Sequence, residues 1–96
     1  MNITEIRIRR VLGTANLRAV ASVTFDDEFV VHDIKIFEGK GGPFIAMPDK
    51  KVAEGEYKDI AHPITRSFRK LLTAAVLEKY ALLPEEEPED ITTEKE

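Results

Sequence analysis

The hydrophobic pattern changes character once along this chain. From Ile3 to Phe37 apolar and polar positions alternate with a period of two, as strands covered on one face require, because successive side chains of a strand point to opposite sides. Ile6 and Ile8 alternate with Arg7 and Arg9, so the first strand turns its isoleucines inward and two guanidinium groups outward. Gly13 to Asn16 (GTAN) supply turn chemistry, and a second run follows in which Leu17, Ala19, Ala21, Val23 and Phe25 share one face. Asp26 to Glu28 turn the chain again. The third run, Phe29 to Phe37, is more continuously apolar and suits a central or interface strand.

Regularity then breaks. Glu38 to Lys51 (EGKGGPFIAMPDKK) contains three glycines, with a short strand expected at FIAM and ended by Pro48. Val52 to Ala61 holds a Glu-Gly-Glu turn, so residues 44–61 read as an irregular hairpin with an exposed tip. At Pro63 the period becomes helical. Proline suits the first helical position because its φ is already helical and its absent N–H would have had no partner. A helix from there to about Leu82 gathers Ile64, Phe68, Leu71, Leu72 and Ala75 on one side, with Arg66, Arg69, Lys70 and Thr73 opposite. The expected fold class is α+β: an antiparallel sheet followed by a C-terminal amphipathic helix.

Composition sharpens this. Residues 1–83 form the expected domain, while residues 84–96 (PEEEPEDITTEKE) combine two prolines, dense acid and one large apolar side chain, the signature of a disordered acidic tail. The formal charge of −4 is a poor guide, since seven acids and only Lys95 lie after residue 80 and leave the body at +2, with 13 Lys and Arg against 11 Asp and Glu. A core built from about 83 residues is small, and pairing with a second copy is a natural way to enlarge it, so a homo-oligomer is expected. Absence of cysteine excludes disulfides and thiol chemistry and fits a reducing compartment. No run approaches the roughly 20 apolar residues of a membrane span, and the first ten residues lack the apolar stretch of a signal peptide, so a cytoplasmic protein without membrane insertion is expected.

Catalytic groups are hard to assemble. His62 has no second histidine nearby, His32 and Asp33 would point to opposite faces of one strand, and Gly39 to Gly42 (GKGG) lead into a strand instead of opening a helix as a phosphate loop does. Neither an enzyme nor a cofactor or metal site is expected. The informative groups are the cations: Arg7, Arg9 and Arg10; Lys50 and Lys51 on the hairpin; Arg66, Arg69 and Lys70 on the helix. Such a basic face is either a solvated surface or a phosphate-binding one.

RIRRV, ASVTFDDEFVVHDIKIFEGKGGPFIAMPDKK and GEYKDIAHPI together resemble the SpoVG family of septation regulators, over about residues 1–82. The resemblance implies a strand-paired dimer, a cytoplasmic regulator of division septation and sporulation, DNA and RNA binding, and no enzyme activity. It implies that Lys50 and Lys51 after the AMP sequence, and Arg66, Arg69 and Lys70 on the helix, contact nucleic acid. Thr65 follows HPI where the family pattern suggests asparagine, and RSFRKLL is more apolar and basic than the usual run. The alternative is a protein-interaction adaptor of the septation machinery with no direct nucleic-acid contact. The tail either aids solubility or competes with nucleic acid for the basic face.

Overall fold

A computed structural model describes residues 1–11 and 16–83. Most of the Gly13–Asn16 turn and all of the acidic tail therefore lie outside the described residues. Four antiparallel strands, β1 (Ile3–Arg10), β2 (Leu17–Phe25), β3 (Phe29–Gly39) and β4 (Gly42–Ala46), form a sheet in the order β1-β2-β3-β4. Strands β5 (Asp49–Ala53) and β6 (Glu56–Asp59) make a separate two-stranded hairpin, and α1 (Arg66–Ala81) closes the chain.

The alternation of β2 decides which face is covered. Ala19, Ala21, Val23 and Phe25 are buried, and the two alanines leave room for a helix to lie close over the middle of the sheet. That helix rests on the edge strands β1 and β4 and inserts Leu72, Val76 and Tyr80 above Ile34 and Ile36. At roughly 25 cal/mol per Å² of apolar surface removed from water, these side chains supply most of the drive to fold. Tyr80 also fastens the far end of the helix. Its hydroxyl donates to Glu38 Oε2 at 3.3 Å, and the Arg10 guanidinium sits 5.4 Å from its ring centre.

The β2–β3 turn is tight because Asp26 and Asp27 take φ values of 53° and 56°, as a type I′ hairpin turn demands of both central residues. The Asp26 side chain accepts from the Asn2 amide at 2.9 Å and Thr4 Oγ1 accepts from the Asp27 amide at 3.0 Å, which ties the turn to the start of β1.

Four expectations need correction. Pro63 is not the first helical residue: Thr65 is the N-cap, with extended backbone, and its Oγ1 accepts from the Phe68 amide at 3.2 Å. A capping hydroxyl outcompetes proline as the start because it satisfies an otherwise orphaned N–H. Ile64 thus falls outside the helix and is 90% exposed. The buried stripe runs Phe68, Leu72, Val76, Tyr80, so Leu71 is half exposed and Thr73 half buried instead of solvent-facing. Residues 44–61 are not one hairpin either: Phe44 to Ala46 pair with β3, and the hairpin is confined to 49–59. Finally, β3 is central as expected, but its alternation breaks at Asp33. Ala21 faces Ile34 while Val23 faces Val31, so two residues, His32 and Asp33, oppose Ser22 in a bulge with Asp33 at φ 65°. Both are exposed.

Candidate functional site

The helix begins with the wrong charge for its own dipole. Backbone amides at a helix N-terminus carry about half a positive charge, so carboxylates there stabilise and cations there oppose the fold by roughly 0.3–1 kcal/mol each at low salt. Here the first turn holds no acidic residue, and Arg66, Arg69 and Lys70 stand in the first turn and a half. All three are exposed, and none joins an ion pair among the described residues. Spaced i, i+3 and i+4, they lie on one side of the helix. Thr65 caps the same terminus. Positive field, free amides and three cations therefore coincide in one place, the arrangement that an anion would relieve.

A second conflict of the same kind sits in the hairpin. Lys50 pairs directly with Lys58, and Asp49 with Asp59, although like charges directly opposite each other in an antiparallel pair are destabilising. The register shift between Lys51 and Ala53 decides only which lysine is involved. An unbroken ladder counted back from Ala53 and Glu56 would have set Lys51 against Lys58 and Lys50 against Asp59, and the bulge at Val52 moves Lys58 opposite Lys50 instead. Lys58 is thus a basic-site residue the sequence reading missed. The available signal was the spacing around Glu54-Gly55, which places Lys58 opposite a lysine in either register.

The five residues expected to act together separate into groups. Lys50 and Lys51 are consecutive in a strand and point to opposite faces; Lys50 joins Lys58, while Lys51 Nζ lies 3.7 Å from Glu54 Oε2 at the turn. Arg66, Arg69 and Lys70 form the helix group. No ion pair, hydrogen bond or cavity among the described residues links the two groups. The connection is short, however: Asp59 and Arg66 are seven residues apart, which bounds the gap between the hairpin's base and the helix start to about 25 Å.

The histidines are structural. His62 Nδ1 donates to the Pro63 carbonyl at 3.0 Å, holding the bend in front of the helix. His32 Nδ1 lies 2.9 Å from Ser22 Oγ on the neighbouring strand, a contact the bulge permits. The His62 ring lines a cavity of about 490 Å³ between Phe25, Phe29, Met47, Ile64 and Phe68, whose other polar side chain is that of Thr65. Among the described residues no cluster of three metal-ligating side chains occurs, and no helix is long and apolar enough to cross a membrane.

The described residues thus define a class: a four-stranded antiparallel sheet backed by one helix, with one basic group where the helix starts and another on a small separate hairpin. Comparison with known proteins narrows it. The SpoVG family model matches residues 1–82. Relatives named "Putative septation protein SpoVG" include one from Clostridium acetobutylicum, 48% identical over 95 residues covering 99% of this chain and all of the relative. One from Alkaliphilus oremlandii is 53% identical over 89 residues, covering 93% of this chain and 96% of the relative. Another, from Caldicellulosiruptor saccharolyticus, is 55% identical over 80 residues, covering 83% and 91% respectively. The chain belongs to the SpoVG family.

Proposed function

We propose that this protein is a nucleic-acid-binding regulator of septation and sporulation that works as a homodimer, with Lys50, Lys51, Arg66, Arg69 and Lys70 contacting phosphates and Lys58 reinforcing Lys50. The observation that carries this reading is the helix start, where three exposed cations, in no ion pair among the described residues, oppose the helix dipole. A surface arranged only for stability would place carboxylates there. Phosphate contact converts that liability into binding energy and releases counterions from the polyanion, so affinity falls steeply with salt and depends little on base sequence.

The sheet's edges support the dimeric reading. Among the described residues β1 and β4 are edge strands with no neighbour on one side, and pairing such an edge with a second copy would satisfy its backbone groups while doubling the number of basic groups presented to one polyanion. The names of its relatives support the link to septation.

Titration of labelled DNA and RNA with the full-length protein and with a form ending at Leu83, at several salt concentrations, tests this reading. Salt-sensitive binding by a species that sediments as a dimer is expected. Tighter binding by the shortened form would mark the acidic tail as a competitor. If neither nucleic acid is bound at low salt, and protein partners captured from lysate survive nuclease, the adaptor reading replaces it.

A further inference from the structure

Among the described residues the helix covers one face of the four-stranded sheet and leaves the other open. Strand alternation and register assign its residues. Arg7 and Arg9 project from β1 on the side opposite the helix, Lys35 and Phe37 from β3, and Phe44 from β4. Arg9 faces Val20, and Val20 faces Lys35, so two cations share one row across the sheet. At 4.7–4.9 Å per strand their backbones stand about 10 Å apart. Two residues further along β3, about 7 Å away, Phe37 stacks on Phe44 with ring centres 5.5 Å apart and planes inclined by 21°. Phe44 rests over Gly39, where an added Cβ would come within 3.3 Å of its ring, and it remains 49% exposed. The carboxylates on this face are Glu5, held by Arg7 at 2.9 Å, and Asp33 in the bulge.

We infer that this open face is a second nucleic-acid site, specific for single strands, in which Arg9 and Lys35 hold phosphates and the Phe37–Phe44 pair stacks an unpaired base. The inference rests on the proposed polyanion-binding function but uses none of the residues assigned to it. A row of cations beside an exposed aromatic pair on a sheet is what a single strand requires: its backbone needs charge and its splayed bases need π-faces, which a closed duplex does not present. Edge-to-edge pairing of two copies leaves this face uncovered in both.

The test measures anisotropy of labelled oligothymidine, about 20 nucleotides long, and of a duplex of the same length. Phe44→Ala and Phe44→Leu are each expected to weaken oligothymidine binding about tenfold, the loss of one base stack, with less than a twofold change on duplex. Leucine keeps apolar cover on Gly39 and Phe37 and removes only the aromatic face, so it separates stacking from packing, and circular dichroism confirms that the sheet is retained. Arg9→Ala with Lys35→Ala should lower the salt slope on the single strand by about 1.4, two phosphates at about 0.7 each. Unchanged affinity in these variants, or equal loss on duplex, overturns the inference while Arg66→Ala with Arg69→Ala still reports on the helix site. A change of sedimenting species in Phe44→Leu also overturns it, by making the face a contact between copies. If the wild type binds neither probe, both readings fall.

Discussion

Replacing Arg66 and Arg69 together by alanine should move stability and polyanion binding in opposite directions. Arg66 is the first helical residue and Arg69 completes the first turn, both are exposed, and neither makes an ion pair among the described residues, so the substitutions break no described contact. What they remove is a charge that opposes the helix dipole, worth about 0.3–1 kcal/mol for the terminal residue and less for the second, and they add a few tenths from alanine's higher helix propensity. The sum is about 1 kcal/mol of added stability, which in a domain of this size raises the melting temperature by about 4–8 °C. The electrostatic part is screened, so in 1 M salt, where the Debye length is about 3 Å, the gain should shrink to the propensity contribution. Over the same substitutions the salt slope for duplex binding should fall by about 1.8, two phosphates at about 0.9 each. Thermal melts at low and high salt and a gel-shift series at matched salt read both effects. A lower melting temperature in the variant would show that the arginines hold the fold together and would refute the argument, as would an unchanged salt slope.

Other outcomes follow from the same structure. Leu72 is 2% exposed, so Leu72→Ala should cost about 2–5 kcal/mol, a large share of a small domain's total, and urea denaturation should find its midpoint moved to much lower urea than the wild type's. Thr65→Ala should cost about 1 kcal/mol through loss of the cap, whereas Thr65→Ser should stay near wild type in the same melts. Burial, and then the Glu38 carboxylate beside it, raise the Tyr80 hydroxyl above its ordinary pKa of 10.0, with Arg10 pulling the other way. A group that holds its proton more tightly when folded contributes stability that is complete below the unfolded value and is lost as pH climbs through the folded one. The urea midpoint of the wild type should therefore drop relative to Tyr80→Phe above about pH 10, and parallel curves would refute this. Gly55 turns the hairpin with φ 75°, so Gly55→Ala should destabilise by about 1 kcal/mol or more, read as earlier protease cleavage within residues 49–59.

Much of the architecture was legible because two periods dominate the chain. Alternation in β2 named Leu17, Ala19, Ala21, Val23 and Phe25 as the covered face; the last four are buried, while Leu17, set off by a register shift, is half-buried opposite Phe37. The Asp26-Asp27 turn and the central place of β3 were likewise visible. What escaped was every feature that depends on one residue out of phase. The helix start moved by three residues because a threonine hydroxyl outweighed a proline, which left Ile64 outside the helix, and the buried stripe through Leu72 and Val76 leaves Leu71 half exposed. The bulge at Val52 moved Lys58 from a place opposite Lys51 to one opposite Lys50. In the candidate site, residue type announced the cations but not their grouping. Lys50 and Lys51 look like one patch in a linear string and fall on opposite faces of a strand.

The extra residue in β3 has a consequence for how this chain can change over time. With Asp33 inserted opposite Ser22, Val31 and Ile34 reach the same interior although an odd number of positions separates them. Removing His32 or Asp33 would restore strict alternation and keep Val31 and Ile34 on the same face, whereas removing Val30 would bring Phe29 next to Val31 and turn it to the opposite face. A one-residue gap should therefore be tolerated at the bulge and shunned in the rest of the strand, where homologous sequences should vary by substitution at fixed length.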